Sequence, residues 1–383
     1  MKKKFVLIPD SFKGTMSSGE ICDIMENAVK VHFEDAEIVK IPVADGGEGS
    51  VDCFLEAMGG EKIYANVKGP YLEDVTAYYG IIENGKTAVI EMAQAAGLPM
   101  VGENRDASKT TTFGVGEMMI DAKNKGVKKI IMCLGGSATN DGGAGMLSAL
   151  GVIFTNPKGE NFLPVGGNLN EINKIDIAPL ASFTSGLKFL TMCDIDNPLY
   201  GKNGAAHIFG GQKCNDQSIL DTLDKNLVYY AEKIKEDIGF SDFTYPGGGA
   251  AGGMGYAMIA FLQSEMQMGI DAVLDTVGFE EIIKDADVIF TGEGKIDGQS
   301  LRGKVVIGVA RRAKTLKIPV VAFVGDIGDG VAPAYDEGVT AILSINRIAA
   351  PFSQLKLRAK SDMNLTVDNF ARGYKTFEEF LKK

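Results

Sequence analysis

The sequence predicts an α/β protein of two domains: a doubly wound, five-stranded parallel sheet with an inserted mixed α/β domain. Three observations carry that expectation. Short apolar runs alternate with amphipathic helical patterns at both ends of the chain. Glycine-rich acidic loops follow several of those runs. The middle of the chain instead contains alternating runs joined by a hairpin-type turn.

The elements follow in order. Phe5 to Ile8 reads as a short buried strand. Ser17 with Glu20 three residues later is a capping box, which predicts a helix through about Phe33. Glu37 to Val43 is a second strand, and Asp45-Gly46-Gly47-Glu48-Gly49 opens a helix that ends at Gly59-Gly60. Glu61 to Val67, Val75 to Ile82 and Thr87 to Met92 read as strands, with Glu83-Asn84-Gly85 as the turn. Thr110-Thr111-Thr112 caps a helix to about Lys125. Lys129 to Leu134 is a strand, Gly135 to Gly143 a loop, and Ala144 to Leu150 a helix. Leu187 to Met192 and Ala205 to Phe209 read as strands, and Asp216 to Ile238 as a long helix.

The strand-loop-helix grammar then returns. Asp287 to Thr291 is a strand, followed by a long glycine loop and a helix from Lys304 to about Leu316. Ile318 to Val324 is a strand, Gly325 to Gly330 a loop, and a helix runs to Glu337. Val339 to Ile345 is the last strand, and Phe377 to Leu381 belong to a final helix. Two units at the start and three at the end give the flavodoxin-like strand order 2-1-3-4-5. The expected domains are residues 1–60 plus 280–383, and residues 61–279.

Composition narrows the function classes. The net charge of −11 without a dense basic stripe argues against nucleic acid and anionic membrane as partners. The five cysteines lack CxxC spacing and read as reduced thiols of a cytoplasmic protein. Only two histidines, His32 and His207, argue against a His-rich metal site or a Ser-His-Asp triad. The apolar run after Lys2-Lys3-Lys4 stops at Pro9-Asp10, too soon for a signal peptide.

The chemistry is expected in the loops. Strand, glycine-rich loop and helix is the geometry in which backbone N–H groups converge on an anion, so Gly135, Gly136, Ser137, Thr139, Asn140, Gly142 and Gly143 are candidate phosphate contacts. That loop holds no Lys or Arg, so backbone dipoles and a cation such as Mg²⁺ must supply the positive field. A tight turn with no ligand is the alternative. Asp10, in Pro9-Asp10-Ser11-Phe12-Lys13-Gly14, is a candidate metal ligand, and Lys13 a candidate for phosphate or carboxylate. Asp45 and Glu48 at a helix start suit a hydrated Mg²⁺, or serve as acidic caps. Asp194, close to Asn197-Pro198, is placed as a general base or metal ligand, or belongs to a turn. Gly247, Gly249 and Gly252 have GxGxxG spacing, but no apolar strand precedes them, which makes a dinucleotide site a weak reading and leaves anion binding at the following helix or close helix packing. Glu293 and Asp297 are placed to share a metal or a proton. Gly298 to Val305 nearly matches a P-loop, but Val305 stands where the Mg²⁺-binding hydroxyl is required, so that reading is rejected.

Taken together, several strings resemble the type 1 glycerate kinase family. They are Pro9 to Gly14, Ala44 to Gly49, Thr111 to Glu117, Gly135 to Gly143, Cys193-Asp194 with Asn197-Pro198-Leu199, Gly249 to Gly253, and Thr291 to Gly294 with Asp297 and Gln299. They run in family order along nearly the whole chain. The stretch Phe209 to Asn215 departs from the family pattern, which has proline before its Gln-Lys pair and Gly-Ala after it.

The resemblance implies phosphorylation of D-glycerate by ATP with Mg²⁺, and an active site in a cleft between two α/β domains. The usual product for this type is 2-phosphoglycerate, with 3-phosphoglycerate the alternative. The chemistry then distributes roles. Asp194 is the general base or hydroxyl orienter, with Asp10 and Lys13 beside it as catalytic candidates. Asp45, Glu48, Glu293 and Asp297 are metal candidates. Ser11, Arg105, Asn197, Lys295 and Arg302 join the glycine loop as substrate or phosphate contacts. ATP and D-glycerate are the expected partners, and a homodimer is left open. The rival readings are a Mg²⁺-dependent phosphatase, a kinase of another small hydroxy acid, and a non-catalytic small-anion sensor.

Overall fold

Lys4–Pro9 is apolar after its first residue and buried from Phe5 onward, the pattern of a central parallel strand. The fold built around it is that of a computed structural model, which describes residues 2–44, 46–47, 49–298 and 300–383, with the backbone alone at Arg302. Among the described residues the strands are β1 (Lys4–Pro9), β2 (Glu37–Lys40), β3 (Glu61–Lys68), β4 (Asp74–Ile82), β5 (Thr87–Glu91), β6 (Lys129–Cys133), β7 (Ile153–Thr155), β8 (Lys174–Asp176), β9 (Lys188–Met192), β10 (Glu265–Gln267), β11 (Val288–Ile296), β12 (Val320–Ile327) and β13 (Val339–Ser344). The chain forms two compact units. One comprises Met1–Asp45, Glu56–Met58 and Met268–Lys383, the other Gly46–Leu55 and Gly59–Gln267.

The first unit holds a five-stranded sheet of order β13-β12-β11-β1-β2, the order that the sequence predicts. All its pairs are parallel. The chain moves from β1 to β2 on one side and later builds β11, β12 and β13 on the other. The switch point therefore lies between β1 and β11, where open α/β sheets bind ligands at their carboxyl ends. The predicted capping box is present: Glu20 N–H donates to Ser17 Oγ at 3.2 Å, and Ser17 N–H to Glu20 Oε2 at 2.9 Å. It starts the Ser18–Lys30 helix. The final helix, Phe352–Leu381, buries Met363 and Val367 in a core with Phe5, Leu7, Phe290 and Phe323.

Two expected loops are strand in this unit. β11 continues through Gly292, Gly294 and Ile296, and β12 through Gly325 to Ile327. The ladder between them still pairs Lys295 with Asp326 and Ile296 with Ile327. Glycine signals a loop when read locally. Here the neighbouring backbone supplies the pairing, and strand preference depends strongly on such context.

The second unit holds a six-stranded mixed sheet, β10-β9-β6-β5-β4-β3. The β3–β4 and β4–β5 pairs are antiparallel, with the Glu83–Gly85 turn between β4 and β5. The remaining pairs are parallel. β7 and β8 form a separate antiparallel pair. Ala205–Phe209, expected as a strand, is a short helix. Its Ala205 and Ala206 are buried, and it packs against the Leu220–Ile238 and Ala250–Leu262 helices. A five-residue apolar run cannot be assigned by periodicity, and two leading alanines favour helix. Among the described residues no helix is long and apolar enough to cross a membrane.

Candidate active site

In the first unit, the switch point brings carboxylates together. Asp10 directly follows β1, and its N–H donates to Gly292 O on β11 at 2.8 Å. Its side chain accepts the Ser11 N–H at 2.7 Å. Glu293, on β11, is 4% exposed, and its Oε1 has no hydrogen-bond partner among the described residues. Burial pushes its carboxyl up to about 7, and the charges of Asp10 and Asp297 add to that rise. Ser300 and Lys304 oppose it. Asp297 follows the end of β11, with Lys295 Nζ 3.5 Å from its Oδ2. Lys13 and Lys295 are exposed. Asp45 and Glu48 lie outside the described residues, as does the Arg302 side chain.

This donor set fits a hard, hydrated divalent cation. Among the described residues no group of three carboxylate, thiolate or imidazole side chains is arranged to hold a metal ion. Mg²⁺ does not need one: it keeps several waters and takes one or two carboxylates plus substrate phosphate oxygens. The unpartnered Glu293 Oε1, beside the charges of Asp10 and Asp297, suits that partial coordination.

In the second unit, glycine-rich segments meet at the carboxyl ends of β5, β6 and β9. Gly135 N–H donates to Gly46 O at 3.0 Å. A Cβ at Gly135 would stand 2.4 Å from Gly47 Cα, so only glycine permits this approach. Gly142 N–H donates to Gly252 O at 3.0 Å. Gly252 has φ +71°, and a Cβ there would stand 2.0 Å from Thr139 O. The GxGxxG-like segment is thus a packing partner of the Gly135–Gly143 loop. Asp194 stands exposed just after β9. Asn197 Nδ2 donates to Asn203 O at 2.9 Å, and its backbone carbonyl accepts Gly249 N–H at 2.9 Å.

Asp141 organises one end of the glycine loop. It is fully buried, and its Oδ2 accepts Thr112 N–H and Thr112 Oγ1 at 2.8 Å each and Gly145 N–H at 3.2 Å. Its Oδ1 accepts Gly143 N–H at 3.1 Å. Thr112 Oγ1 in turn accepts Met146 N–H at 2.8 Å. The donors at the start of the Ala144–Ala149 helix are therefore engaged within the protein, those of Gly142 and Gly143 included. The other end differs. Gly136 is exposed, and among the described residues no acceptor takes the Gly136 or Ser137 N–H. Thr139 Oγ1 and both amide atoms of Asn140 are buried without a partner.

The cation missing from this loop comes from outside the set of residues that the sequence predicts for the site. Lys213 is 2% exposed, and its Nζ donates to Ser137 Oγ at 2.7 Å and to Thr139 O at 2.8 Å. Burial lowers its ammonium to about 8, against the opposing charges of Asp141 and Cys214. The Gln-Lys pair within the departing Phe209 to Asn215 stretch was its one signal. Arg105 supports the same segment: its guanidinium donates to Gly102 O at 3.1 Å and Gln212 O at 3.0 Å. Arg105 also lines an open pocket of about 480 Å³ with Tyr71, Asp106, Lys109 and Asn215.

Comparison with known proteins supplies the identity. The model of the Glycerate kinase family matches residues 5–375. A Bacillus cereus protein named glycerate kinase is 43% identical over 377 residues, covering 98% of this chain and 99% of its own length. The Escherichia coli K12 protein named glycerate 2-kinase is 44% identical over 343 residues, 89% of this chain and 90% of that one. The crystal structure of a candidate glycerate kinase 2 from Salmonella typhimurium LT2 superposes with a TM-score of 0.89 at 37% identity, covering 99% of this chain and 100% of that one. With matches of this extent and a shared fold, the chain belongs to the glycerate kinase family, and with it to the phosphotransferases.

Proposed function

We propose that this chain transfers the γ-phosphoryl group of ATP to D-glycerate with Mg²⁺, favouring the 2-hydroxyl and so forming 2-phosphoglycerate. The observation that carries this reading is the 44% identity, over 89% of the chain, to a protein named glycerate 2-kinase. 3-Phosphoglycerate is the alternative product.

The reaction asks for three things. One hydroxyl of the substrate must be aligned with the phosphorus, its proton must be received, and the charge on the transferred group must be neutralised. Bound Mg²⁺ would neutralise charge on the phosphate oxygens. Glu293 and Asp10 at the switch point would hold it, with Asp297 nearby and Asp45 and Glu48 as further candidates. Asp194, exposed at the end of β9, orients the glycerate hydroxyl and receives its proton. Lys13, Ser11, Lys295 and Arg302 are candidate contacts to the anionic groups.

Incubation with ATP, Mg²⁺ and D-glycerate should release ADP only when glycerate is present, and phosphorus NMR of the product identifies the position. Binding without turnover would favour a small-anion sensor. Phosphate release from phosphoglycerate would favour a phosphatase. The Asp194→Asn variant should keep its fold and lose about 10²- to 10⁴-fold in turnover. Near-normal turnover would remove Asp194 from the role of base.

A further inference from the structure

We propose that Lys213 is a positioning residue that turns the Ser137 hydroxyl into an outward-facing donor, so that Ser137 O–H and the backbone N–H groups of Gly136 and Ser137 bind one oxyanion group of a substrate. An ammonium can only donate. At 2.7 Å from Lys213 Nζ, the Ser137 oxygen is therefore the acceptor, and its own proton points elsewhere. Among the described residues no acceptor receives that proton. Lys213 Nζ also donates to Thr139 O at 2.8 Å, so the ammonium is held on both sides of the loop turn.

One further observation points to a ligand. Lys213 is buried, and its Nζ meets a hydroxyl and a backbone carbonyl, Ser137 Oγ and Thr139 O, and not a carboxylate. Isolated buried charge is unfavourable. Asp141, whose charge acts on Lys213, commits its oxygens to Thr112, Gly143 and Gly145. An oxyanion at the exposed Gly136 mouth would take the three free donors and balance the ammonium behind them. The matching chemistry is a phosphate of the nucleotide or the carboxylate of the hydroxy acid.

This inference rests on the kinase reading for its choice of ligands, and direct binding separates the two. Titration calorimetry on the full chain, with ADP and D-glycerate in separate runs, would compare wild type, S137A, K213M, K213R and the S137A/K213M double variant. S137A and K213M should each weaken the same one ligand about 10- to 100-fold, as loss of a charge-assisted bond does. The double variant should be no weaker than the worse single variant, and the second ligand should stay within about twofold. K213R, which keeps the charge, should recover part of the loss. ADP as the affected ligand assigns the site to phosphate, and glycerate assigns it to carboxylate.

The wild type provides a check that needs no variant. Lys213 deprotonates as pH rises through about 8, so affinity for the affected ligand should fall from about pH 7 to about pH 9. The charged or titratable groups acting on Lys213 are Asp141 and the Cys214 thiol, the latter itself raised by burial. The fall should flatten in S137A. Unchanged binding of both ligands in S137A, multiplying effects in the double variant, or pH-independent wild-type binding would each overturn the proposal. If wild type binds ADP through Ser137 but shows no glycerate-dependent turnover, the kinase reading fails and the oxyanion site stands.

Discussion

Asp141 receives four hydrogen bonds from its own chain, through Thr112, Gly143 and Gly145. A carboxylate in a glycine loop reads equally as metal ligand or as cap, and the burial of Asp141 within its own donor set makes it a cap. Asp141→Ala would strand buried donors, and urea unfolding should show a loss on the order of 3 kcal/mol or more. Glu293 presents the opposite case, a buried carboxyl with an unpartnered oxygen. Its folded value, about 7, lies above the unfolded 4.5, so the protonated form is favoured by folding. Its contribution is complete below pH 4.5 and lost as pH rises through about 7. In buffer free of divalent cations, Glu293→Gln should therefore match wild type near pH 4.5 and exceed it above pH 7, by on the order of 3 kcal/mol in denaturant midpoints. Equal pH profiles for the two proteins would refute this. Neither residue's state was legible from its neighbours in sequence, because partners and burial are set by residues far along the chain.

At the scale of elements, the legible features are those whose causes are local. The Ser17–Glu20 capping box spans four residues and is found where it is expected. Ser17→Ala should cost about 1 kcal/mol in thermal or chemical unfolding and leave turnover per folded molecule unchanged. The glycine segments were legible as loops but not as partners. Gly252 combines φ +71° with a site where any Cβ meets Thr139 O at 2.0 Å. Gly252→Val should therefore lower stability by roughly 2–4 kcal/mol, and should also reduce turnover by displacing the Thr139–Asn140 turn. An active, stable variant would show that the two segments do not depend on each other. The strand reading of Ala205–Phe209 and the loop readings at Gly292 to Ile296 and Gly325 to Ile327 failed for a shared reason. Helix packing in one case and the β11–β12 ladder in the other are contacts between distant segments.

For the whole molecule, each unit carries its own apolar core. The core of β1, β11, β12 and the Phe352–Leu381 helix draws on the first unit alone, and the one around β4, β5 and β6 on the second alone. Met363 is fully buried in the first core. Met363→Ala should cost roughly 2–5 kcal/mol there. Hydrogen exchange should then speed up in β1, β11 and β12 while β5, β6 and β9 keep their protection. Equal loss of protection in both sheets would show one cooperative unit instead.

By itself, the sequence determined the five-stranded order β2-β1-β11-β12-β13, the inserted mixed sheet, and the family, through motifs in order along nearly the whole chain. Periodicity, caps and turns are encoded within a few residues, so they can be read in one dimension. Only the tertiary structure decided that Asp10 and Glu293 flank the switch point, that Asp141 holds its own loop, and that Lys213 reaches Ser137 from 76 residues away. Those facts depend on burial and on hydrogen bonds between distant segments. Neither exists until the chain has folded.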